Sequence, residues 1–326
     1  MPRVSIDFGI NFMPTAPARE VAEWARAVER HGYAILGISD SQSICRDVYV
    51  TLALCARATE HIRLGPRVIT PLTRHPAVAA SAAATLEELA PGRTLVGIGS
   101  GDSAAYNVGL KPVPLAELRE YALAIRGLLG HGQAEYHGAT ARFTWSRARV
   151  PIFLAASGPK TLRLAGQIAD GVVVRTGILP DIIRDSIAAV RRGAEEAGRD
   201  PDAVEMWWWP DANIAASRRD AIGEIKMSLA AAGNHQARFT TEGKHIPADL
   251  LAKVRTLGEQ PRATQPSYGL KSTTELSVGT STFTSRSGST ITRSASEPGS
   301  SRQLPVEPGA DGAPHDQFLV ACPEPR

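Results

Sequence analysis

Several short polar groupings in this chain suit ligand chemistry. Gly97-Ile98-Gly99-Ser100-Gly101-Asp102 follows an apolar run and precedes a helical pattern. There, glycines let the backbone approach a ligand and N–H groups at a helix start can hold an anion. The third-glycine spacing of a dinucleotide fingerprint and the Gly-Lys-Ser/Thr ending of a P-loop are absent, so a tight turn competes with that reading. Ser157-Gly158-Pro159-Lys160 joins a hydroxyl, a free glycine N–H, a helix start and a cation, a set suited to phosphate. An ordinary serine N-cap with proline in the first turn is its alternative. Asp40 either hydrogen-bonds a cofactor ring or caps the helix that follows. His75 is the candidate proton donor, against a role as a hydrogen-bonding loop histidine. His131 and His137 have no acidic or cysteine partner at ligand spacing, so no metal site is expected. With no Gly-x-Ser-x-Gly elbow, His-Glu-x-x-His or Cys/His pair, a cofactor is expected to carry the chemistry.

These groupings recur at one kind of place, the end of a short β-branched run. The runs Val4 to Phe12, Ala34 to Ile38, Ile62 to Thr70, Thr94 to Ile98, Pro151 to Ala156, Val172 to Arg175 and Val204 to Ile214 read as strands. Helical patterns separate them: 19–31, 48–59, 77–89, a pattern through Leu115 to Leu129, 160–168, 181–197, and finally 218–232 with 247–257. Residues 131–149, with Tyr136, Phe143 and Trp145 around a Gly138 turn, read as a hairpin insertion. Seven βα units favour an α/β (β/α)8 TIM barrel over an open doubly wound sheet. The barrel's active site lies on the loops after the strands, where Asp40, Ser41, Arg67, Val68, Thr70, His75, Gly99, Gly101, Asp102, Ser157, Gly158, Lys160, Arg175 and Thr176 fall. In Trp207-Trp208-Trp209 the rings alternate between the two faces of a strand, so an inward ring could line a planar ligand.

The eighth unit is where composition changes. The 326 residues are 43% hydrophobic and 21% charged, but from Pro261 onward about half are Ser, Thr, Pro or Gly. The chain is thus divided into a barrel domain, 1–258, and a low-complexity tail, 259–326, in which Ser267 to Ser301 lacks the apolar residues needed to fold. The island Phe318-Leu319-Val320-Ala321 is either a genuine last strand or the return of the original reading frame after a frameshift over 261–313. The eighth unit is therefore expected to be atypical or missing. A net charge of +3, from 36 basic and 33 acidic residues, is too small for a nucleic-acid footprint. Three scattered cysteines make no disulfide framework, no signal peptide is evident, and no apolar run reaches the roughly 18 residues of a membrane span. A cytoplasmic protein with a small-molecule substrate is expected.

Taken in order, the motifs resemble the bacterial luciferase-like superfamily, in the branch of methylenetetrahydromethanopterin reductase-like proteins. The resemblance rests on 47–52, 58–65, Thr73-Arg74-His75-Pro76-Ala77, 85–89, Gly92-Arg93, Gly97 to Asp102, and Ala156 to Lys160 with Ala169-Asp170-Gly171. It implies a (β/α)8 barrel binding coenzyme F420 or reduced flavin mononucleotide (FMN) at its C-terminal rim, for hydride transfer or monooxygenation, with homodimers common. It also implies a cis peptide at Arg67–Val68 behind the ring, a ring-side role for Asp40, and phosphate contacts from Ser157, Gly158 and the neighbouring strand. Many deazaflavin-binding relatives carry histidine after the strand-two aspartate, where this chain has Ser41, so both cofactors stand. The rival reading is a ligand-binding barrel without turnover, or the inactive product of a frameshifted gene.

Overall fold

The structure, a computed structural model, describes residues 6–225, with 232–233, 235–236, 244, 246, 248, 251–252, 283–284, 290–291 and 317–321. The expected alternation is present: β1 (Phe8–Phe12), α1 (Ala18–Arg30), β2 (Ile35–Ile38), α2 (Val48–Ala58), β3 (Arg63–Pro66), α3 (Pro76–Leu89) and β4 (Val96–Ile98). After β4 come α4 (Ser103–Tyr106), α5 (Leu115–His131) and a hairpin of β5 (Gln133–Tyr136) and β6 (Ala139–Arg142). The barrel resumes with β7 (Ile152–Ala156), α6 (Pro159–Ile168), β8 (Gly171–Val174), α7 (Pro180–Glu196), β9 (Glu205–Trp208) and α8 (Arg218–Glu224). Beyond these lie the short pair β10 (Phe283–Thr284) and β11 (Thr290–Ile291), then β12 (Gln317–Ala321). In the hairpin turn His137 and Gly138 have φ of 50° and 77°, the left-handed pair that a two-residue connection requires.

The sheet order is β3-β2-β1-β12-β9-β8-β7-β4, and the bridges Leu64–Thr94 and Ile69–Ile98 join β3 to β4. Each of the eight strands therefore has a neighbour on both sides. Seven run parallel; β12 fills the eighth position antiparallel to β1 and β9. The apolar island is thus a strand in this structure, reversed relative to the βα repeat.

Strand alternation divides the core in two. Outward side chains such as Ile10, Leu36, Leu64, Val96, Leu154, Val172 and Trp208 pack with the helices. Inward ones form a separate cluster of Ile35, Leu95, Phe153, Val173, Trp207 and Trp209. Burying a side chain of this size contributes about 1.5–3 kcal/mol. The lumen accepts such bulk because glycines face it. A Cβ on Gly171 would lie 2.6 Å from the Phe153 ring, and one on Gly37 would lie 2.5 Å from Arg67 Cγ.

Several boundaries differ from the sequence expectation. The third strand was expected to run through Thr70 but ends at Pro66, after which the Arg67–Val68 peptide is cis and Ile69 rejoins β4 by a bridge. The seventh was expected to reach Ile214 and ends at Trp208, two residues before Pro210, which cannot donate to a ladder. The short helix α4 was not expected. The helix over 247–257 and the start of the first strand at Val4 fall largely outside the described residues, as does nearly all of 259–316, including the proposed frameshift.

Candidate active site

The loops after β2, β3 and β4 are stitched together by side chains. Asp47 caps α2, accepting the N–H groups of Tyr49 and Val50 at 2.9 and 3.0 Å, and its other oxygen takes Arg74 Nη2 at 2.7 Å. Arg74 Nε in turn donates to Asp40 at 3.1 Å, while its guanidinium lies 5.3 Å from the centre of the Tyr49 ring. The Asp40 side chain is only 3% exposed. Burial pushes its carboxyl above the ordinary aspartate range even with Arg74 opposing the shift. Ser41 Oγ donates to Ser103 Oγ at 2.9 Å and Gln42 Nε2 to the Ala104 carbonyl at 2.8 Å, tying the β2 loop to α4.

Beside this network Val68 forms a bulge over β4. Its methyls would lie 3.0 Å from a Cβ on Gly97 and 2.7 Å from one on Gly99, so both glycines are needed where they stand. Gly101, with φ of +108°, turns the chain beneath Thr70, which is buried. Asn11, at the end of β1, is buried and donates to Ser39 Oγ at 2.9 Å.

Across the rim a second group gathers at the start of α6. Gly158 is the N-cap and brings no side chain over the first-turn N–H groups. Ser157 Oγ lies 3.3 Å from His235 Nε2, and His235 Nδ1 lies 2.8 Å from Asp102 Oδ2. Gln236 Nε2 donates to the Arg175 carbonyl at 3.3 Å, and Gln236 Oε1 accepts from Lys244 Nζ at 3.0 Å. Lys244 is buried, which lowers its ammonium to about 8. The Arg175 guanidinium stacks 4.9 Å from the Trp209 ring, and the buried Thr176 hydroxyl has no partner among the described residues. Asp102 connects the two sides of the rim.

The structure therefore brings together Asp40, Ser41, Val68, Thr70, Gly99, Gly101, Asp102, Ser157, Gly158, Arg175 and Thr176. Three residues named from the sequence lie elsewhere. His75 is exposed and caps α3, its Nδ1 accepting the Ala77 N–H at 3.2 Å, while its ring meets Tyr136 edge-on. Lys160 is exposed in the first turn of α6. Arg67 turns into the lumen, 5.5 Å from the Phe153 ring, and none of its nitrogens has a hydrogen-bond partner among the described residues. Burial lowers it to about 9. Of the tryptophans, Trp207 and Trp209 face inward and Trp208 outward.

Sequence reasoning missed His235, Gln236 and Lys244. They sit in the polar stretch Gly233 to Ile246, between two helical patterns after the seventh strand, where a rim loop belongs. That position was the available signal.

Among the described residues, no group of three or more His, Cys, Asp or Glu side chains could hold a metal, and no helix is long and apolar enough to cross a membrane. Residues 6–264 match the luciferase-like monooxygenase family. The chain is 33% identical to the 5,10-methylenetetrahydromethanopterin reductase of Methanolobus tindarius over 236 residues, covering 70% of this chain and 72% of that protein. It is 32% identical to the F420-dependent glucose-6-phosphate dehydrogenase of Nakamurella multipartita, covering 65% and 69% of the two chains. The solved coenzyme F420-dependent tetrahydromethanopterin reductase of Methanopyrus kandleri superposes with a TM-score of 0.59 at 25% identity, over 79% of this chain and 84% of that one.

Proposed function

Since the chain belongs to the luciferase-like monooxygenase family and is an oxidoreductase of that family, we propose that it transfers hydride between the deazaflavin coenzyme F420 and a small organic substrate. The observation that carries this reading is the pairing of a ring-sized shelf with an anion cradle on one rim, linked by Asp102. The residues present fit such a group. Val68 packs over Gly97 and Gly99, which present no side chains of their own, while the Thr176 hydroxyl, without a partner among the described residues, and the Gly158 N-cap of α6, which carries no side chain, can take polar atoms.

In this reading Ser157, the Gly158 N–H and the α6 N-terminus hold the cofactor's phosphate, with Arg175, Thr176 and Lys244 beside them. Val68 supports the back of the ring. Asp40, held in place by Arg74 and raised by burial, presents a carboxyl to polar ring or substrate atoms. Asp102, on the loop between the two halves, is placed to hold a proton near the reacting centre. When bound, reduced deazaflavin supplies hydride transfer, whereas reduced FMN adds oxygen activation. The barrel's part is to orient the ring, exclude water and fix the phosphate. The described cysteines, Cys45 and Cys55, are buried free thiols, which suits the reducing cytoplasm.

A second reading, FMN-dependent monooxygenation, is favoured by one residue: Ser41 stands after Asp40 where the family resemblance leads one to expect histidine in deazaflavin binders, and its hydroxyl donates to Ser103. Titrating the purified full chain with each reduced cofactor, followed by fluorescence, separates the two. The expected result is micromolar or tighter binding of the deazaflavin (about −8 kcal/mol) and much weaker binding of FMN. The reverse order would establish the second reading, and tight binding of neither would overturn both.

A further inference from the structure

The polar contacts around Ser157 form a chain that anion binding alone does not require. Asp102 Oδ2 meets His235 Nδ1 at 2.8 Å, and His235 Nε2 faces Ser157 Oγ at 3.3 Å. A carboxylate that fixes the imidazole tautomer and an imidazole that accepts a hydroxyl proton together make a serine nucleophile, recognised by geometry and not by chain order. Its setting adds to this. Ser157 occupies the turn between the end of a parallel strand, β7, and the N-terminus of a ten-residue helix, α6. Among the described residues, a side chain at Gly158 would meet only the Lys244 stem, at 3.8 Å, an ordinary van der Waals contact. Free N–H groups at a helix start can stabilise the oxyanion of a tetrahedral intermediate.

We propose that Ser157, His235 and Asp102 form a hydrolytic relay that cleaves small carboxylic esters when no phosphate occupies the rim, an activity beyond the oxidoreductase reading. Ser157 Oγ bonds to the acyl carbon as the ester C–O bond breaks. Its proton passes to His235 Nε2 and on to the departing alcohol. Water then attacks the acyl-serine, gives its proton to His235 and releases the carboxylic acid as the proton returns to Ser157. No oxidant or reductant takes part. Asp102 is a positioning residue that holds the imidazole.

The test uses the full chain without cofactor and a fluorophosphonate probe, with the labelled peptide located by mass spectrometry. Ser157 is expected to be labelled, and millimolar inorganic phosphate to slow the labelling by occupying the same cradle. Ser157→Ala abolishes it, with an unchanged melting temperature showing that the variant is folded. His235→Gln slows labelling by about a hundredfold or more, the usual loss for a general base, and Asp102→Asn displaces the pH profile of labelling. Hydrolysis of p-nitrophenyl acetate falls in parallel. No label on Ser157 in the native chain, or labelling of His235→Gln at the native rate, would overturn the proposal. Because labelling requires no cofactor, its failure leaves the deazaflavin titration standing, and failure of the titration leaves the labelling result intact.

Discussion

At the scale of single residues, the pH dependence of Asp40 follows from its surroundings. Its folded-state pKa lies above the usual value, with burial the largest cause and Arg74 opposing it. Such a group contributes stability below its unfolded pKa, and the contribution is lost as pH rises through the folded one. Arg74→Met removes the partner of a buried carboxylate. At pH 7 the variant should be less stable by about 3 kcal/mol, measured from urea midpoints at constant slope. As pH falls toward about 4, Asp40 takes up a proton and much of that deficit should vanish, whereas packing lost over Tyr49 is independent of pH. A deficit of the same size at pH 7 and pH 4 would show that Arg74 acts only by packing. The sequence offered Asp40 as a ring-side group or a helix cap; in the fold Asp47 caps the following helix and Asp40 pairs with Arg74. A histidine before Pro76 at a helix start suits capping as readily as catalysis, and in the fold the His75 Nδ1 accepts the Ala77 N–H. His235 carries only the signal of its position after the seventh strand, and it is the folded chain that brings it to Asp102, 133 residues away.

At the scale of elements, alternation was the most readable feature. Apart from the short helix α4, the order of strands and helices from Phe8 to Glu224, the hairpin insertion and the alternating faces of the triple tryptophan follow from periodicity and turn residues. The break in the third strand does not follow from periodicity, because Arg67-Val68-Ile69-Thr70 reads as a β-branched continuation; it was expected only through the family resemblance. Its packing consequence is specific. Val68 fits over β4 because Gly99 has no Cβ, so Gly99→Ala should cost about 2 kcal/mol, the usual penalty for overpacking. The Val68→Ala change should recover most of that loss by removing the methyl 2.7 Å from the new carbon. Thermal melts of the two single variants and the double variant measure the coupling. If the double variant loses the sum of the single losses, the two residues do not press on each other. Gly97→Ala should have no such rescue, because its Cβ would lie 2.4 Å from the Pro66 carbonyl oxygen, which belongs to the backbone.

At the scale of the whole molecule, β12 decides whether the barrel has exposed edges. A parallel barrel of seven strands would leave β1 and β9 with unpaired backbone groups facing each other across a gap, an arrangement that invites aggregation. Gln317–Ala321 fills the gap through Phe8↔Val320 to Asn11↔Gln317 on one side and Val320↔Trp208 with Ala321↔Trp207 on the other. Because the strand is reversed, Gln317 stands beside Asn11 at the rim and the chain enters β12 from the same end as the candidate site. We therefore propose that, within the 259–326 segment, 317–321 belongs to the barrel as its eighth strand. Removing residues 317–326 tests this. About five net backbone hydrogen bonds at roughly 1 kcal/mol each, at about 2–4 °C per kcal/mol for a domain of this size, predict a melting temperature lower by about 10 °C or more. The newly opened edges should also cause the truncated chain to aggregate at concentrations where the full chain does not. An unchanged melt would mean that β12 does not hold the barrel together in solution. The reading frame of the nucleotide sequence over 261–313 would then become the deciding observation, since a shifted frame that encodes an amphipathic helix and a parallel strand would supply the eighth unit in the orientation of the other seven.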